Sequence, residues 1–531
     1  MSGASAAIAV ARRAFRDART RTISFAYLFA LYAYVQPAGY RHAYPTLSDR
    51  IAFAHSFAAN DALRLFYGYP YDATTVSGYC AWRVGGTLAL VAAVFGVFAA
   101  VRALRGEEDS GRMELILAGR VGRGTAYLSS MAAIAAGTAI LWVAEFAGFV
   151  VGGLPVGGSA YLALAAAVVV PVFVGLGALA SQLAPTRRGA LGLGMATVGI
   201  SLLVRVIADT SSGAAWLRWA TPLGWSEELR AFSGAQPIVL ALPILVSALL
   251  LALAARIAAR RDVGTGLLPA RDTAEPRLRL LSSATARALR GERGTLLLWL
   301  GSIGVFAAVL GMVSTSISSA DISKSVREEI AKLGSGSITT PTGYLSFVFI
   351  FFILAVSLFA CAQISAARHE EVEQLETLLA LPVGRSRWLA GRLALAAAGI
   401  ATISLAAGFL TWAGTASQGV PISLPKMLEA GANCLPVALL FLGAAALAYA
   451  VVPRASAGIA YGLVTVMFLW QLVGSLVGAP DWLVKLTPFA HVGLVPTQPF
   501  RGGSAAVMVG LALALGLAAL WVFRQRDLVG Q

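Results

Sequence analysis

Long runs of apolar residues recur along the whole chain of 531 residues, and they constrain its fold more than any other feature. The hydrocarbon core of a bilayer is about 30 Å thick, so a helix that crosses it needs about 20 mostly apolar residues. The runs do not alternate between apolar and polar residues, as the strands of a membrane barrel would. They predict an all-α polytopic membrane protein with about twelve transmembrane helices.

We place six spans in each half of the chain. In the first half they are Thr22 to Pro37, Ala81 to Val101, Thr125 to Val151, Tyr161 to Leu183, Ala190 to Ala208 and Pro237 to Ala258. In the second half they are Thr295 to Ser314, Leu345 to Ala366, Trp388 to Ala413, Leu435 to Val452, Gly458 to Val477 and Ala505 to Phe523. The first span is the weakest of them, because it is short and rich in Tyr.

The charge of the chain supports a membrane orientation better than a nucleic-acid partner. Lys and Arg number 41 against 26 Asp and Glu, but only 13% of the residues are charged and 58% are apolar. The Arg residues form short clusters between the apolar runs, and most of these clusters share the side of the amino terminus. The positive-inside rule therefore predicts that both termini are cytoplasmic. We expect no nucleic-acid binding. Cys80, Cys361 and Cys434 are too far apart to suggest a disulfide framework or a metal site.

The two halves of the chain repeat each other. A shift of 262 residues superposes Glu108 on Glu370, Glu114 on Glu376 and Val121-Gly122-Arg123 on Val383-Gly384-Arg385. We therefore divide the chain into a six-span unit at 1–258, a cytoplasmic linker with a second basic helix at 259–294, and another six-span unit at 295–531. Because each unit has an even number of spans, we expect two parallel repeats, related by an axis along the membrane normal.

The repeated segment after the second span of each half is charged and amphipathic. Met113, Ile116 and Leu117 fall on one helical face, and Val372, Leu375 and Leu379 share a face in the other copy. Acidic residues gather toward the start of each segment, where they complement the helix dipole. A capped surface connector would explain one such segment. Its recurrence in both halves favours a function.

This pattern resembles the coupling helices of ABC-2-type exporter permeases, especially the fused twelve-span permeases of actinobacterial antibiotic and multidrug efflux systems of the tetronasin-exporter kind. The resemblance implies an exporter in the bacterial plasma membrane, driven by a separate ABC ATPase in two copies that would bind ATP and Mg²⁺. The residues that would dock this ATPase are Glu108, Glu114, Arg123, Glu370, Glu376 and Arg385. The Pro expected before Val-Gly-Arg is present as Pro382 but replaced by Arg120, so the two docking sites are expected to differ.

Basic segments precede the first and seventh spans, and the family has amphipathic elbow helices there. Ile8, Ala11, Ala14 and Phe15 share one face among Arg residues, and Leu278, Leu281 and Leu289 repeat this pattern. Such helices lie at an anionic membrane surface, although ordinary positive-inside flanking explains part of the signal. On the other side, Leu47 to Phe66 and Asp321 to Leu333 are expected to form loop helices.

Few ionisable residues fall inside the spans. Glu145 and Arg205 are the clearest, and each is either functional or neutralised by pairing or snorkelling near a span end. Arg205 corresponds to Gln471 on the fifth span of each half, which lines the path between the halves in the family. Arg205, Phe468, Trp470 and Gln471 are therefore candidate contacts for a hydrophobic or amphipathic cargo.

The chain lacks the motifs of an enzyme. It has no Gly-x-x-x-x-Gly-Lys-Ser/Thr sequence for nucleotide phosphates, and its four His residues form no metal or catalytic set, so we predict no catalytic residues, no metal and no cofactor in this chain. Two alternatives stay open. A proton-coupled drug antiporter also has twelve spans but should carry more acids within them, and a membrane enzyme for lipid or glycan transfer should carry acidic or His clusters at one face. The sequence does not identify the cargo.

Overall fold

The computed structural model describes residues 3–55, 64, 67–119, 121–210, 212–268, 283–318, 340–379, 384–474, 482 and 485–526. Within these residues the regular structure is entirely helical. The chain divides into two compact units, Met1–Ala274 and Glu275–Gln531, and the boundary falls within the predicted linker. Cys80, Cys361 and Cys434 are buried free thiols.

The first unit contains twelve helices within its described residues. They are α1 Gly3–Ala43, α2 Leu47–Phe53, α3 Val76–Cys80, α4 Gly86–Ala103, α5 Arg105–Asp109, α6 Arg112–Leu117, α7 Arg123–Val151, α8 Val156–Ala167, α9 Val169–Leu183, α10 Arg187–Thr210, α11 Pro222–Glu228 and α12 Ala241–Arg260. A π-helical turn, Ala81–Gly85, joins α3 to α4. Two 3₁₀ segments, Ser212–Ala220 and Pro237–Leu240, precede α11 and α12.

The described part of the second unit contains seven helices and one 3₁₀ turn. The helices are α13 Ala284–Ser318, α14 Pro341–Leu379, α15 Arg385–Ser417, α16 Leu424–Ala432, α17 Leu435–Val451, α18 Ser456–Gly474 and α19 Gly502–Gln525. The 3₁₀ turn, Pro488–His491, follows Thr487 just as α11 follows Thr221. The repeated Thr-Pro pair therefore starts a short helical turn in each unit.

Ten helical segments of the described chain are long and apolar enough to cross a membrane. They cover the predicted spans from the second to the tenth and also the twelfth. A polytopic membrane protein is therefore confirmed. The eleventh span is a shorter apolar helix, Ser456–Gln471. The first lies in α1 and is not among the ten, and its Tyr residues, Gln36 and Pro37 dilute its apolar character. The count of twelve stays a prediction.

The same helices pack together in both units. α1 packs on α7 as α13 packs on α15, and α9 contacts α4 and α12 as α17 contacts α14 and α19. In the α1–α7 and α13–α15 pairs, the two helices come close together at small residues. A Cβ atom on Gly148 would lie 2.4 Å from the carbonyl oxygen of Ala30, and one on Gly414 would lie 2.1 Å from that of Ala308. Small residues at such crossings are the usual means of packing helices in a bilayer.

Between two contact points, the α13–α15 pair of the second unit is one helical turn longer than the α1–α7 pair of the first. α7 has 29 residues and α15 has 33, a difference close to the 3.6 residues of a helical turn. A lower contact recurs as well, because Gly137 approaches Thr22 and Gly399 approaches Leu296. The extra turn therefore lies between the two contact points, where it preserves which faces meet.

Proline breaks the fourth helix of each unit. α8 ends just before Val168, three residues ahead of Pro171, and α16 ends just before Asn433, three residues ahead of Pro436. Proline lacks the N–H that would bond the carbonyl four residues earlier, so the helix bends there. The tenth span, predicted to begin at Leu435, therefore extends back through α16 to Leu424.

The basic segments before the first and seventh spans are not separate elbow helices. Their Arg residues occupy the first turns of α1 and α13, which continue without a break into the spans. Neither segment has a Pro or a capping residue that stops the helix, so the helix propagates. Leu278 and Leu281 lie outside the described residues.

One of the predicted loop helices is described in part. α2 covers the beginning of Leu47 to Phe66, and Thr46 starts it with a capping box formed with Asp49. Residues 56–63 and the predicted helix from Asp321 to Leu333 lie outside the described residues.

Candidate coupling segments and transport path

The charged segment of the first unit, which we call coupling segment 1, comprises α5 and α6. Glu108 is at its centre, with a side chain that is 9% exposed. Its carboxylate accepts hydrogen bonds from Arg105 at 2.8 Å, from Arg261 at 2.5 Å and from the backbone N–H of Gly264 at 3.2 Å. The residue predicted to dock a partner is therefore used to hold the segment against the end of α12.

Arg105 fastens the same segment to a second helix. Its guanidinium is fully buried and donates to the carbonyl oxygen of Ser181 at 3.0 and 2.6 Å and to that of Thr265 at 2.9 Å. Ser181 lies in the last turn of α9, where carbonyl groups lack helical partners. Coupling segment 1 is thus tied to α9 and to the residues after α12.

The corresponding segment of the second unit, coupling segment 2, is the last part of α14 from Glu370. Glu370 pairs with Arg287 at 3.1 Å and with Arg392 at 3.5 Å. Glu371 is bound by Arg526, which follows α19, and by the hydroxyl of Tyr449. Each coupling segment is therefore joined by an ion pair to the Arg that follows the helix of the sixth span, Arg261 after α12 or Arg526 after α19.

The two segments differ in shape. The repeat predicts a short separate helix in each, but coupling segment 2 is continuous with α14. Coupling segment 1 contains Gly106 and Gly111, and Gly111 ends α5 and starts α6 with a φ of +71°, which a residue with a Cβ rarely adopts. Arg368 and Glu373 replace these glycines in the second unit. The helix therefore breaks in the first unit and continues in the second.

The helix of the third span in each unit, α7 or α15, is hydrogen-bonded to the same Arg residue that binds the coupling segment. Arg123 donates to the carbonyl oxygen of Arg261 at 2.7 Å, and Arg385 donates to that of Arg526 at 3.0 Å. Sequence reasoning missed Arg261 and Arg526. Only a partial signal was present, since each is the second of two Arg residues that closely follow the last predicted span of its half.

In each unit, the end of the helices that carries these contacts is called the basic face below. In the first unit it includes Arg21, Arg102, Arg105, Arg123, Arg187 and Arg261. The predicted docking residues are accessible on it to different degrees. Glu114 is exposed, its neighbour Leu115 is 74% exposed, and Arg123 has a 41% exposed side chain. The side chain of Glu376, and Arg120 and Pro382, lie outside the described residues.

Arg205 is buried within the first unit. Its side chain is 1% exposed and lies 3.8 Å from Asp209 and 3.5 Å from Glu227. The exposed face of α10 is formed instead by apolar residues, Ile200, Leu203 and Ile207. The structure therefore gives Arg205 the paired environment that the sequence left as one of two interpretations.

The pairing extends into a larger cluster near the end of α10, opposite the basic face. Arg218 contacts Asp209 at 2.6 Å and Glu228 at 3.8 Å, and Glu228 also binds Arg230 at 2.7 Å and the hydroxyl of Tyr71 at 2.6 Å. The sequence signal for this cluster was the density of ionisable residues around Thr221-Pro222. Several buried charges satisfy one another here, as low-dielectric surroundings require.

Glu227 differs from the other acids of this cluster. Neither of its carboxylate oxygens accepts a hydrogen bond from an N–H or O–H group of the described residues; they face the carboxylate of Asp209 and lie 3.5 Å or more from the guanidinium of Arg205. Burial, and next the charge of Asp209, raise the pKa of Glu227 well above its usual range, while Arg205 and Arg218 oppose the shift. A cavity of about 30 Å³ adjoins Glu227 and is lined by Tyr67, Tyr69 and Tyr71, which is enough room for a water molecule.

The candidates on α18 have two kinds of environment. Gln471 accepts a hydrogen bond from Thr487 at 2.7 Å and lines a cavity of about 160 Å³ that also includes Asn433 and Arg501. Phe468 is buried against Phe351 and Phe489, and Trp470 is half-buried. The structure brings Phe468 and Gln471 close to one cavity wall residue, Phe489.

Glu145 lies in α7, within two turns of its carboxyl end, and is completely buried. Both of its carboxylate oxygens lack a hydrogen-bond partner among the residues that the structure describes. A charged carboxylate in such a place is very costly, so the neutral acid is the form that fits.

The helices define a multi-pass membrane protein. Comparison with known proteins identifies the family. The chain belongs to the family described as "Multidrug efflux system permease Rv1217c, C-terminal domain", which it matches over residues 51–258 and 281–524. It is 32% identical over 493 residues to the multidrug efflux system permease protein Rv1217c of Mycobacterium tuberculosis (strain ATCC 25618 / H37Rv), covering 91% of this chain and 88% of the relative.

Proposed function

We propose that this permease is the membrane subunit of an ATP-driven ABC exporter that moves hydrophobic or amphipathic compounds out of the cell. The ATP and Mg²⁺ would be held by a separate ATPase subunit, present in two copies, and this chain would carry no catalytic residues. The description of its relative as a multidrug efflux permease supports this class of cargo.

The observation that carries the proposal is the way each coupling segment is anchored. In the first unit Glu108 binds Arg261 after α12, and the carbonyl oxygen of Arg261 accepts a hydrogen bond from Arg123, the first residue of α7. In the second unit Glu371 binds Arg526 after α19, and the carbonyl oxygen of Arg526 accepts a hydrogen bond from Arg385, the first residue of α15. A force on the segment is thereby transmitted together to the helices that form the second, third and sixth spans of the unit. A carrier driven by an ion gradient has no need for such a lever.

The predicted docking residues divide by accessibility into two roles. Glu108 and Glu370 are engaged in internal ion pairs, so we assign them to holding the segments. Glu114 and Arg123 are exposed and are assigned to contact with the ATPase, as are Glu376 and Arg385 by the repeat. Because one segment is broken by Gly111 and the other is continuous, the two ATPase copies would meet different surfaces.

ATP binding would bias a two-state change in the permease. Closure of the ATPase pair would move the coupling segments and turn the access of the cargo path from one side to the other. On the fifth helices, the exposed apolar residues Leu203, Val466 and Leu469 would contact cargo, together with Trp470 and Gln471. Arg205 and Phe468 would shape this path from behind, since both are buried.

The basic face is assigned to the cytoplasm of a bacterial plasma membrane. Both described ends of the chain, the start of α1 and the end of α19, would then be cytoplasmic. The density of Arg on this face supports the orientation.

Charge reversal on coupling segment 1 tests the proposal. In vesicles that contain the permease with its ATPase, Glu114→Lys should lower ATP-dependent efflux at least tenfold and weaken co-purification of the ATPase. Arg260→Glu is the control, because Arg260 is an exposed charged residue at the end of α12, on the same face but outside the segment, and reversing its charge should change efflux less than twofold. Unchanged efflux and co-purification in Glu114→Lys would contradict the docking assignment.

A second candidate function, proton-coupled drug antiport, is favoured by one observation, the buried and unpartnered carboxyl of Glu145. The two functions separate cleanly in proteoliposomes of purified permease alone. Antiport predicts uptake that follows an imposed pH gradient without any ATPase and is abolished by Glu145→Gln. The ATP-driven exporter predicts no uptake until the ATPase and ATP are added, and little effect of Glu145→Gln.

A further inference from the structure

An apolar pocket opens near the basic face of the first unit. It has a volume of about 110 Å³ and lies between α1, α4, α6 and α7. Its walls are mainly aromatic and aliphatic, and include Phe25, Phe95, Phe98, Met113 and Ile134. Apolar cavities of about 150 Å³ stay dry and accept a benzene ring, so this one accepts a short stretch of hydrocarbon chain.

Guanidinium groups surround the mouth of the pocket. Arg21 and Arg102 line it directly. Arg187 lies beside Arg102, because a Cβ atom on Gly106 would be 3.6 Å from Cδ of Arg187 and 3.7 Å from Cγ of Arg102. Both of these cations are near enough to repel the guanidinium of Arg21. Three like charges are thus gathered at one end of an apolar pocket.

The acids at the mouth do not neutralise these three cations. Asp17 and Glu107 each lie within 4 Å of Arg13, at 3.8 and 3.7 Å, and Glu107 also binds Arg112 at 2.6 Å. Arg21 donates only to the backbone oxygen of Asp17. Among the described residues, the side chains of Arg102 and Arg187 form no ion pair, and the carboxylate of Asp109 binds the backbone N–H of Arg187 at 2.6 Å. The mouth therefore has an excess of positive charge.

The second unit fills the corresponding place with its own side chains. The repeat aligns Ala18 with Glu292 and Ser130 with Arg392, and both Ala18 and Ser130 line the pocket. Arg392 is 6% exposed and pairs with Glu292 at 3.0 Å. The pocket is therefore not a necessity of the fold, because an ion pair closes it in the other unit.

We propose that the pocket of the first unit binds an anionic phospholipid, with the phosphate on Arg21, Arg102 and Arg187 and the beginning of an acyl chain against Phe25, Phe95 and Phe98. The charge excess selects an anionic headgroup, and the apolar walls select an attached chain. The mouth lies where the apolar helices end in Arg residues, which is the level of lipid headgroups. This inference goes beyond the proposed function and does not depend on it.

A bound lipid would stabilise coupling segment 1. Met113 and Ile116 of α6 line one side of the pocket, while residues of α1 and α7 line the other. The acyl chain would bridge these helices. The lipid would therefore hold α6 in place, in addition to the ties that Glu108 and Arg105 make from α5.

Lipid binding to the purified full chain tests the proposal without any transport measurement. Native mass spectrometry and thermal unfolding would be recorded with phosphatidylglycerol, with phosphatidylcholine of the same chains, and with glycerol 3-phosphate. We expect phosphatidylglycerol to bind at least tenfold more tightly than phosphatidylcholine and to raise the unfolding temperature. Equal binding of the two lipids would overturn the proposal, and so would equal binding of glycerol 3-phosphate.

Two sets of variants sharpen the test. The double variant Ala18→Glu/Ser130→Arg copies the ion pair of the second unit into the pocket and should abolish the preference for phosphatidylglycerol while the protein stays folded. Arg102→Gln and Arg187→Gln should each weaken phosphatidylglycerol binding about fivefold, the equivalent of about 1 kcal/mol per Arg. Arg188→Gln, at the exposed neighbouring residue, should have no effect. Full lipid binding by a folded double variant would place the lipid elsewhere and refute the pocket.

Discussion

At the scale of single residues, neighbouring acids in this protein have opposite environments. Glu228 is bound by Tyr71, Arg218 and Arg230, whereas the carboxylate oxygens of Glu227 accept no hydrogen bond from an N–H or O–H group of the described residues. Both side chains are almost fully buried. Their adjacent positions in the sequence give no hint of this difference, because it depends on which helix each side chain meets.

The raised pKa of Glu227 makes stability depend on pH. The folded protein keeps the proton of this carboxyl at a pH where the unfolded chain, with an ordinary pKa of about 4.3, has lost it. Stability therefore falls as pH rises above this value. Glu227→Gln keeps a neutral side chain of similar shape, so it should flatten this fall and raise the unfolding temperature at pH 8 more than at pH 5.

Glu228→Gln is the matched control for this measurement. It removes a charge that three partners bind, so it should lower the unfolding temperature at both pH values, by the equivalent of about 1–3 kcal/mol. Equal destabilisation by the two variants at pH 8 would show that Glu227 is ionised and paired.

At the scale of elements, the two coupling segments differ in shape because of one glycine. Gly111 ends α5 in the left-handed region, and Glu373 stands at the corresponding position of continuous α14. This difference was readable from the sequence once the repeat was aligned, because a run without Gly continues a helix. The repeat itself obscured it, since matching acids suggested matching helices.

Gly111→Ala should destabilise coupling segment 1 locally. No atom lies within 4 Å of the added Cβ, so the cost is that of the backbone conformation alone, about 1–2 kcal/mol. Hydrogen exchange at the amides of α5 and α6 should speed up roughly 5–30-fold. Gly124→Ala is the control: its Cβ is equally free but it lies in the first turn of α7, so exchange there should be unchanged or slower.

At the scale of the whole molecule, the two units are built on the same helix contacts. Gly148 meets α1 in the first unit as Gly414 meets α13 in the second, and a matched extra turn in α13 and α15 leaves the contact intact. The helix pairs therefore diverged in length together. A one-turn insertion in only one helix would have shifted its small residues about 6 Å along the helix axis and out of contact.

Gly148→Ala and Gly414→Ala should both destabilise the protein, because the added Cβ would collide with the backbone of the neighbouring helix at 2.4 and 2.1 Å. The expected loss is about 1–3 kcal/mol for each, seen as a lower unfolding temperature and less monodisperse protein. Gly516→Ala in α19 has nothing within 4 Å of its Cβ and should be neutral or stabilising. Equal unfolding temperatures of all three variants would mean that these helix crossings do not stabilise the unit in which each lies.

The sequence by itself determined the membrane class, most of the spans, the repeat and the place of the coupling segments. Apolar length, Arg distribution and repeated residues are local properties of the chain, and they are enough for these predictions. The tertiary structure decided the partners: that Arg261 and Arg526 hold the coupling segments, that Arg205 is paired, and that Arg392 fills in one unit the space that stays open beside Ser130 in the other. Such contacts join residues far apart in the chain, and spacing along one helix cannot specify which side chain of another helix lies opposite.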